Sequence, residues 1–250
     1  MDISVVIITK NEERNIRRCL ASLQGLAKEV IVIDSFSDDG TQEICAEFGV
    51  RFIQQKWMGY SATKNKGNAL ANYPWILSLD ADEALTADLR QHIQDLNNKP
   101  LAAYSFNRLA FYCGKPIRRC GWYPDRKVRL FPKNKARWEG DFVHEELVPD
   151  ANLPIHHLEG DLMHFTYYNV EEHHAKSEKY SDLAAQALVE NPSGKLRFKA
   201  TFSPVMRFFK MYILRLGFLD GYYGYQVCRI TAGEVRKKYQ KALRLQKSQG

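Results

Sequence analysis

Residues 3–23, ISVVIITKNEERNIRRCLASL, change period part-way along. The first six are a continuous, largely β-branched run, the pattern of a strand buried on both faces of a parallel sheet. Immediately afterwards Ile16, Cys19, Leu20 and Leu23 recur at helical spacing and form one apolar stripe. The same change repeats outward. A strand over Val30–Ile33 ends in DSFSDDGT (residues 34–41), whose Ser and Asp suit a turn and a helix N-cap, and Ile44 and Phe48 give the next helix its inner face. Val50–Ile53 reads as a third strand, Ala62–Ala71 as a helix, and Trp75–Leu79 as a fourth strand running into Asp80-Ala81-Asp82. Fourfold alternation predicts an α/β fold with a mainly parallel sheet and helices on both faces. Ligands of such sheets bind beyond the carboxyl ends of the strands, here Thr9–Glu12, Asp34–Asp39 and Asp80–Asp82.

Past a helix around Leu85–Leu96 the pattern loosens. Tyr104–Leu109 and Lys127–Phe131 read as strands, added antiparallel, on either side of a loop rich in Cys, Gly and Pro. A helix is expected over Val170–Val189, and Asn191-Pro192-Ser193-Gly194 is the clearest linker. No internal repeat is present.

Composition narrows the class. With 250 residues, 45% hydrophobic and 26% charged, the chain is neither low-complexity nor disordered by default, and it is long enough for a real core. Five cysteines without a CxxC pair or zinc-type histidine spacing fit a reducing compartment. The N-terminus lacks a basic region and its apolar run is short, so no secretory leader is expected, and no run of about 18 apolar residues predicts a spanning helix. The net charge of +7 is uneven. Residues 195–250 hold 13 Lys and Arg against Asp220 and Glu234, whereas residues 1–194 hold 23 basic and 27 acidic groups. A basic tail on a mildly acidic body points to an anionic partner.

Two features carry chemistry by themselves. Asp80 and Asp82, at i and i+2 after a buried strand, point the same way if the chain stays extended, which suits a divalent cation bridging a diphosphate. An isolated D-x-D is more often a solvated loop or helix cap; the neighbouring strands that also end in acids give this one weight. Asp34 closes the second strand, where an acid accepts from a ribose hydroxyl or a base N–H. TKNEERN stands where a dinucleotide dehydrogenase has GxGxxG, which disfavours that class.

Four motifs in order, SVVIITKNEERNI, VIVIDSFSDDGT, GYSATKNKGNALA and WILSLDADE, resemble the nucleotide-sugar half of a family 2 glycosyltransferase. The later CGWYPDRKVRLF, WEGDFVHEEL, LMHFTYY and FLDGYYGY resemble the branch that adds glucose to the inner core of bacterial lipopolysaccharide. The resemblance implies a GT-A (Rossmann-like) domain over residues 1–169 with a mixed, mainly parallel sheet, and a basic helical extension over 170–250. It also implies an inverting, metal-dependent hexosyl transfer from a UDP-sugar, UDP-glucose foremost, to a lipid-linked saccharide. The same fold and donor class acting on a polyprenyl phosphate, capsule or protein glycan is the alternative, and a catalytically dead membrane-surface scaffold is the non-enzyme one.

Carried over residue by residue, the resemblance puts Thr9, Asn11, Glu12 and Asp34 around uridine and Lys64 at the diphosphate, where the family often has Arg. A lysine there acts as a point charge and not as a bidentate clamp. Asp80 meets the ribose or the water shell of the metal, and Asp82 ligates Mg²⁺ or Mn²⁺, ions suited to hard oxygen donors. His164 matches a late histidine that reaches the metal or diphosphate. Glu145 is the first choice for the base that deprotonates the acceptor hydroxyl, with Glu146 and Asp125 as competitors. His156, His157, His173 and His174 receive no role.

For the tail, Val205, Phe208, Phe209, Tyr212, Leu216 and Leu219 share one face of a continuous helix, with Arg207 and Lys210 opposite. Two readings stay open for that face: docking on the chain's own domain, or lying in a membrane interface. The basic segment up to Lys247 then meets anionic lipid or acceptor phosphates; no nucleic-acid module accompanies it. The expected place is cytoplasmic, peripheral on the inner face of the bacterial cytoplasmic membrane.

Overall fold

The computed structural model describes residues 1–96, 100–140, 145–190 and 196–249. The linker at 191–194 and His144 lie outside the described residues. Packing divides the chain into two units, one of Met1–Arg108 with Asp125–His164, the other of Leu109–Pro124 with Phe165–Gly250.

The first unit starts with β1 (Ile3–Thr9), α1 (Glu13–Ser22), β2 (Glu29–Asp34), α2 (Thr41–Glu47), β3 (Arg51–Gln54), α3 (Tyr60–Leu70) and β4 (Trp75–Asp80). Next in chain order come β5 (Glu83–Leu85), α4 (Ala87–Gln94), β6 (Ala103–Tyr112), β7 (Lys115–Pro116), β8 (Asp125–Pro132), β9 (Ala136–Glu139), β10 (Glu146–Pro149) and β11 (Ile155–Tyr167), of which β7 and the ends of β6 and β11 belong to the second unit. The sheet runs β3-β2-β1-β4-β8-β6-β11-β5, with β9 and β10 forming a separate antiparallel pair and β7 pairing with the end of β6. The first four strands are parallel, and β8 and β6 add antiparallel, as the sequence pattern predicts.

β1 is buried along its whole length, which explains its unbroken apolar run. The α1 stripe faces the core as expected, with Ile16, Cys19, Leu20 and Leu23 all buried. In α2 the fully buried residues are Thr41 and Cys45, while Ile44 and Phe48 pack against the core only in part. Register aligns the strand ends: Thr9 pairs with Asp34, and Ile8 with Asp80.

α3 lies unusually close to this sheet. A Cβ on Gly67 would stand 2.4 Å from Cγ1 of Val6 and 3.3 Å from Cγ1 of Ile33. Only glycine leaves room for that approach. Lys64, one turn earlier on the same face, is thereby carried into the interior and is 1% exposed.

The second unit contains α5 (Val170–Glu190), α6 (Leu196–Phe209) and α7 (Gly221–Gln249). Tyr112, Ile117, Cys120, Met211, Val227 and Cys228 form its main core. The continuous helix expected over 205–219 is broken. A π-helical turn spans Lys210–Leu214, Leu216 is left-handed with φ 53°, and a 3₁₀ turn covers Gly217–Asp220. Gly217 permits the close packing at the break: a Cβ there would lie 2.8 Å from the Met211 carbonyl oxygen and 2.9 Å from the sulfurs of Cys120 and Cys228.

His173 is buried here, its Nδ1 3.1 Å from the Tyr112 hydroxyl and its ring 4.5 Å from that of Tyr167. Burial, with His174 and Lys176 nearby, pushes its pKa down to about 4.

Two outcomes follow from this packing. Gly67→Ala should cost about 1–3 kcal/mol in chemical denaturation, because helix or sheet must shift; an unchanged midpoint would contradict the close approach. A histidine with a lowered folded-state pKa stabilises while neutral, so its contribution is full above pH about 6.5 and lost as pH falls through about 4. His173→Gln should therefore flatten the decline of Tm between pH 7 and 4.

Candidate active site

The turn after β4 separates the two acids that extended geometry would align. Ala81 and Asp82 form a turn before β5. Asp80 Oδ1 is 2.9 Å from Lys64 Nζ, and its Oδ2 is 2.9 Å from Arg129 Nη2. Asp82 instead meets His164, Oδ2 to Nε2 at 3.2 Å. The antiparallel β11–β5 pairing, which matches His164 with Glu83, brings that imidazole alongside.

Glu83 is fully buried and ties the corner together. Its Oε1 lies 2.6 Å from Arg129 Nη2 and 3.7 Å from Arg108 Nη1, and its Oε2 accepts from the Asp80 backbone N–H at 3.0 Å. Burial by itself would raise the Asp80 pKa; Lys64 first and then Arg129 outweigh it and hold the carboxyl far below its usual range.

Lys64 has two further neighbours. Its Nζ is 3.7 Å from Glu145 Oε1 and 4.1 Å from the centre of the Trp138 ring. α3 fixes both. The Asn65 side-chain amide donates to the Trp138 carbonyl at 2.8 Å and accepts from the Trp138 N–H at 2.9 Å. The Ser61 hydroxyl lies 3.0 Å from the Glu139 carbonyl oxygen and 2.8 Å from that of Gly140. β9 pairs with β10 so that Glu139 faces Glu146, and Glu145 stands just before that pair.

A cavity of about 530 Å³ opens here, lined among others by Asp80, Arg108, Arg126, Arg129, Trp138 and Glu145. Of the three expected base candidates, Glu145 and Glu146 line it. Glu146 is exposed on β10. Asp125 is held by Arg108 at 2.8 Å and by Lys127 at 3.3 Å. Lys64, expected at the diphosphate, has its ammonium enclosed by Asp80, Glu145 and Trp138. Arg126 and Lys127, both exposed, also line the cavity.

Beyond the ends of β1 and β2, Asn11 takes a left-handed φ of 55°, a conformation asparagine tolerates. Its N–H donates to the Ser37 hydroxyl and its Oδ1 accepts from the Asp38 N–H. Asp34 is wholly buried and both its oxygens accept from Ser37, so it anchors the loop that a nucleoside would meet. The Thr9 and Ser35 hydroxyls are buried without a hydrogen-bond partner among the described residues. Burial raises the Glu12 pKa; an Asn15 hydrogen bond lowers it, and Asp82, Asp39 and Asp80 push it up again. The strand ends thus carry an acidic field.

For a metal, the donors present are the Asp82 carboxylate and the His164 imidazole, set against this field. Among the described residues no three His, Cys, Asp or Glu side chains converge on one point. The pair fits an ion that takes its remaining ligands from diphosphate and water. Sequence reading missed Glu83, Arg129, Arg108, Trp138 and Asn65. The available signal was an arginine at 129 directly before the apolar Leu130-Phe131, inside a strand.

Residues 4–145 match the model for glycosyl transferase family 2. The chain belongs to that family. A lipopolysaccharide core biosynthesis glycosyltransferase, LpsC, of Rhizobium meliloti is 28% identical over 259 residues, covering 96% of this chain and 93% of that one. A glycosyltransferase of Rickettsia typhi is 29% identical over 234 residues, covering 89% and 80%. Among solved structures, a mannosyltransferase of Pyrobaculum calidifontis in complex with GDP-Man and Mn²⁺ aligns with a TM-score of 0.54 and 14% identity, over 96% of this chain and 86% of that one. At that identity the likeness concerns the fold, and the glycosyltransferase family 2 chain has the GT-A architecture.

Asn65→Ala should release Trp138 and loosen β9 and β10. Turnover is expected to fall at least about tenfold with stability reduced by about 1–3 kcal/mol; full activity would show that α3 does not position Glu145.

Proposed function

We propose that this family 2 enzyme is an inverting, metal-dependent glucosyltransferase that uses UDP-glucose and a hydroxyl of the lipopolysaccharide inner core. The observation that carries the reading is the meeting of Asp80 and Glu145 on one buried lysine at the cavity beyond the strand ends. The full-length similarity to LpsC supports the class of acceptor.

In this reading uridine lies over Thr9, Asn11, Glu12 and the loop held by Asp34. Asp82 and His164 hold Mg²⁺ or Mn²⁺, which supplies positive charge against the diphosphate. Asp80, paired on both oxygens, keeps the strand end rigid and reaches the ribose or bound water through its remaining lone pairs. Arg126 adds a cation on the open side.

Glu145 takes the proton from the acceptor hydroxyl as its oxygen attacks the anomeric carbon. The bond from that carbon to the diphosphate oxygen breaks, UDP leaves with the electron pair, and the anomeric configuration inverts. Glu145 suits this role better than Asp125, whose carboxylate is already held by Arg108 and Lys127. A lipid-linked acceptor places the reaction at a membrane face.

UDP release from UDP-glucose, with lipopolysaccharide core acceptor and with or without Mn²⁺, tests the assignment. Glu145→Gln should abolish transfer, by about 10²–10⁴-fold, while UDP affinity stays within about twofold. Asp82→Asn should instead remove the Mn²⁺ dependence of UDP binding. Retained turnover in Glu145→Gln would move the base to Glu146, and a protein inert with every UDP-sugar would favour a non-catalytic scaffold.

A further inference from the structure

The second unit carries an exposed apolar face that shares no residue with the candidate site. α6 exposes Phe198, Phe202, Val205, Met206 and Phe209, each between 44% and 66% accessible. At about 3.6 residues per turn these positions share an arc of roughly 100°. Leu214, in the π-helical turn that follows, is 64% exposed. The packing side of the segment is different: Leu196, Pro204 and Met211 are buried. Phe198 and Phe202 stack on each other, centroids 4.3 Å apart, and find no deeper shelter.

Charge around this face has one sign. Residues 196–219 contain Arg197, Lys199, Arg207, Lys210 and Arg215, and no Asp or Glu. On the same helical projection Lys199 and Lys210 border the apolar arc on one side, and Arg197 lies further round on the other. A second copy seated on this face would bring two such cationic segments together, with no acid in either segment to offset them. An anionic lipid surface satisfies both components, with aromatic rings below the headgroups and long basic side chains reaching up to the phosphates. No helix among the described residues is long and apolar enough to cross a membrane, so the contact is an interfacial one.

We propose that α6 is an interfacial membrane helix, lying in the plane of an anionic bilayer with Phe198, Phe202 and Phe209 inserted and Arg197, Lys199 and Lys210 at the phosphates. The inference places the membrane contact on α6, without requiring the basic end of α7. It is independent of donor, metal and base.

The full-length protein is sedimented with vesicles of phosphatidylglycerol and phosphatidylcholine in equal parts, and with phosphatidylcholine alone. Binding is expected to the anionic vesicles, weakened by salt. The F202E/F209E variant should bind at least about tenfold more weakly, whereas R236Q/K237Q/K238Q in α7 should keep most of the binding. Both altered Phe positions are exposed, and UDP affinity measured on the same sample reports that the fold is intact. It also separates this face from the catalytic reading, since either can fail alone. The added indole fluorescence of Phe202→Trp should be quenched by brominated-chain lipids. Unchanged binding by F202E/F209E, absence of quenching in Phe202→Trp, or a dimer abolished by F209E without vesicle binding would each overturn the proposal.

Discussion

An ammonium group as deeply enclosed as that of Lys64 is costly to hold unless carboxylates face it, and here they come from two distant segments. Asp80 arrives on β4 and Glu145 just ahead of β10. Arg129 from β8 then takes the second oxygen of Asp80, and Glu83 takes Arg129. Removing one member leaves a buried charge without its partner, so the network specifies the relative positions of four strands and a helix. Gly67 is the steric condition for it, because only that close approach of α3 brings Lys64 under Trp138.

This network also divides labour among the acids. Asp80 is electrostatically satisfied before any ligand arrives. Asp82, two residues further on, meets His164 and, after burial as the main cause, adds with Asp39 and Asp80 to the raised pKa of Glu12. A motif whose two acids look alike in sequence is thus one carboxylate tied to Lys64 and Arg129 and one paired with His164.

Much of this was legible in the chain. The continuous apolar runs of β1, β2 and β4 and the stripe of α1 are local patterns, and they decide the parallel half of the sheet. The strand ends bearing Thr9, Asp34 and Asp80 follow from that. Burial of Lys64 and Arg129 was not legible, because an interior cation is tolerated only by partners more than 15 residues away in sequence. Nothing local marks Glu83, which precedes the helix expected around Leu85–Leu96 and lies instead in β5, paired with β11. The segment over 205–219 misleads a helical wheel for a different reason: at its break Gly217 packs closely against the sulfurs of Cys120 and Cys228.

In the proposed site Asp82 and His164 hold a divalent ion against the diphosphate while Lys64 stays on Asp80. A crystal structure of the full chain with UDP and Mn²⁺ addresses it directly. Anomalous density for manganese should lie on Asp82 Oδ2 and His164 Nε2, with the Lys64–Asp80 pair unbroken. Manganese bound elsewhere, or Lys64 swung out of its enclosure onto the phosphates, would contradict the account.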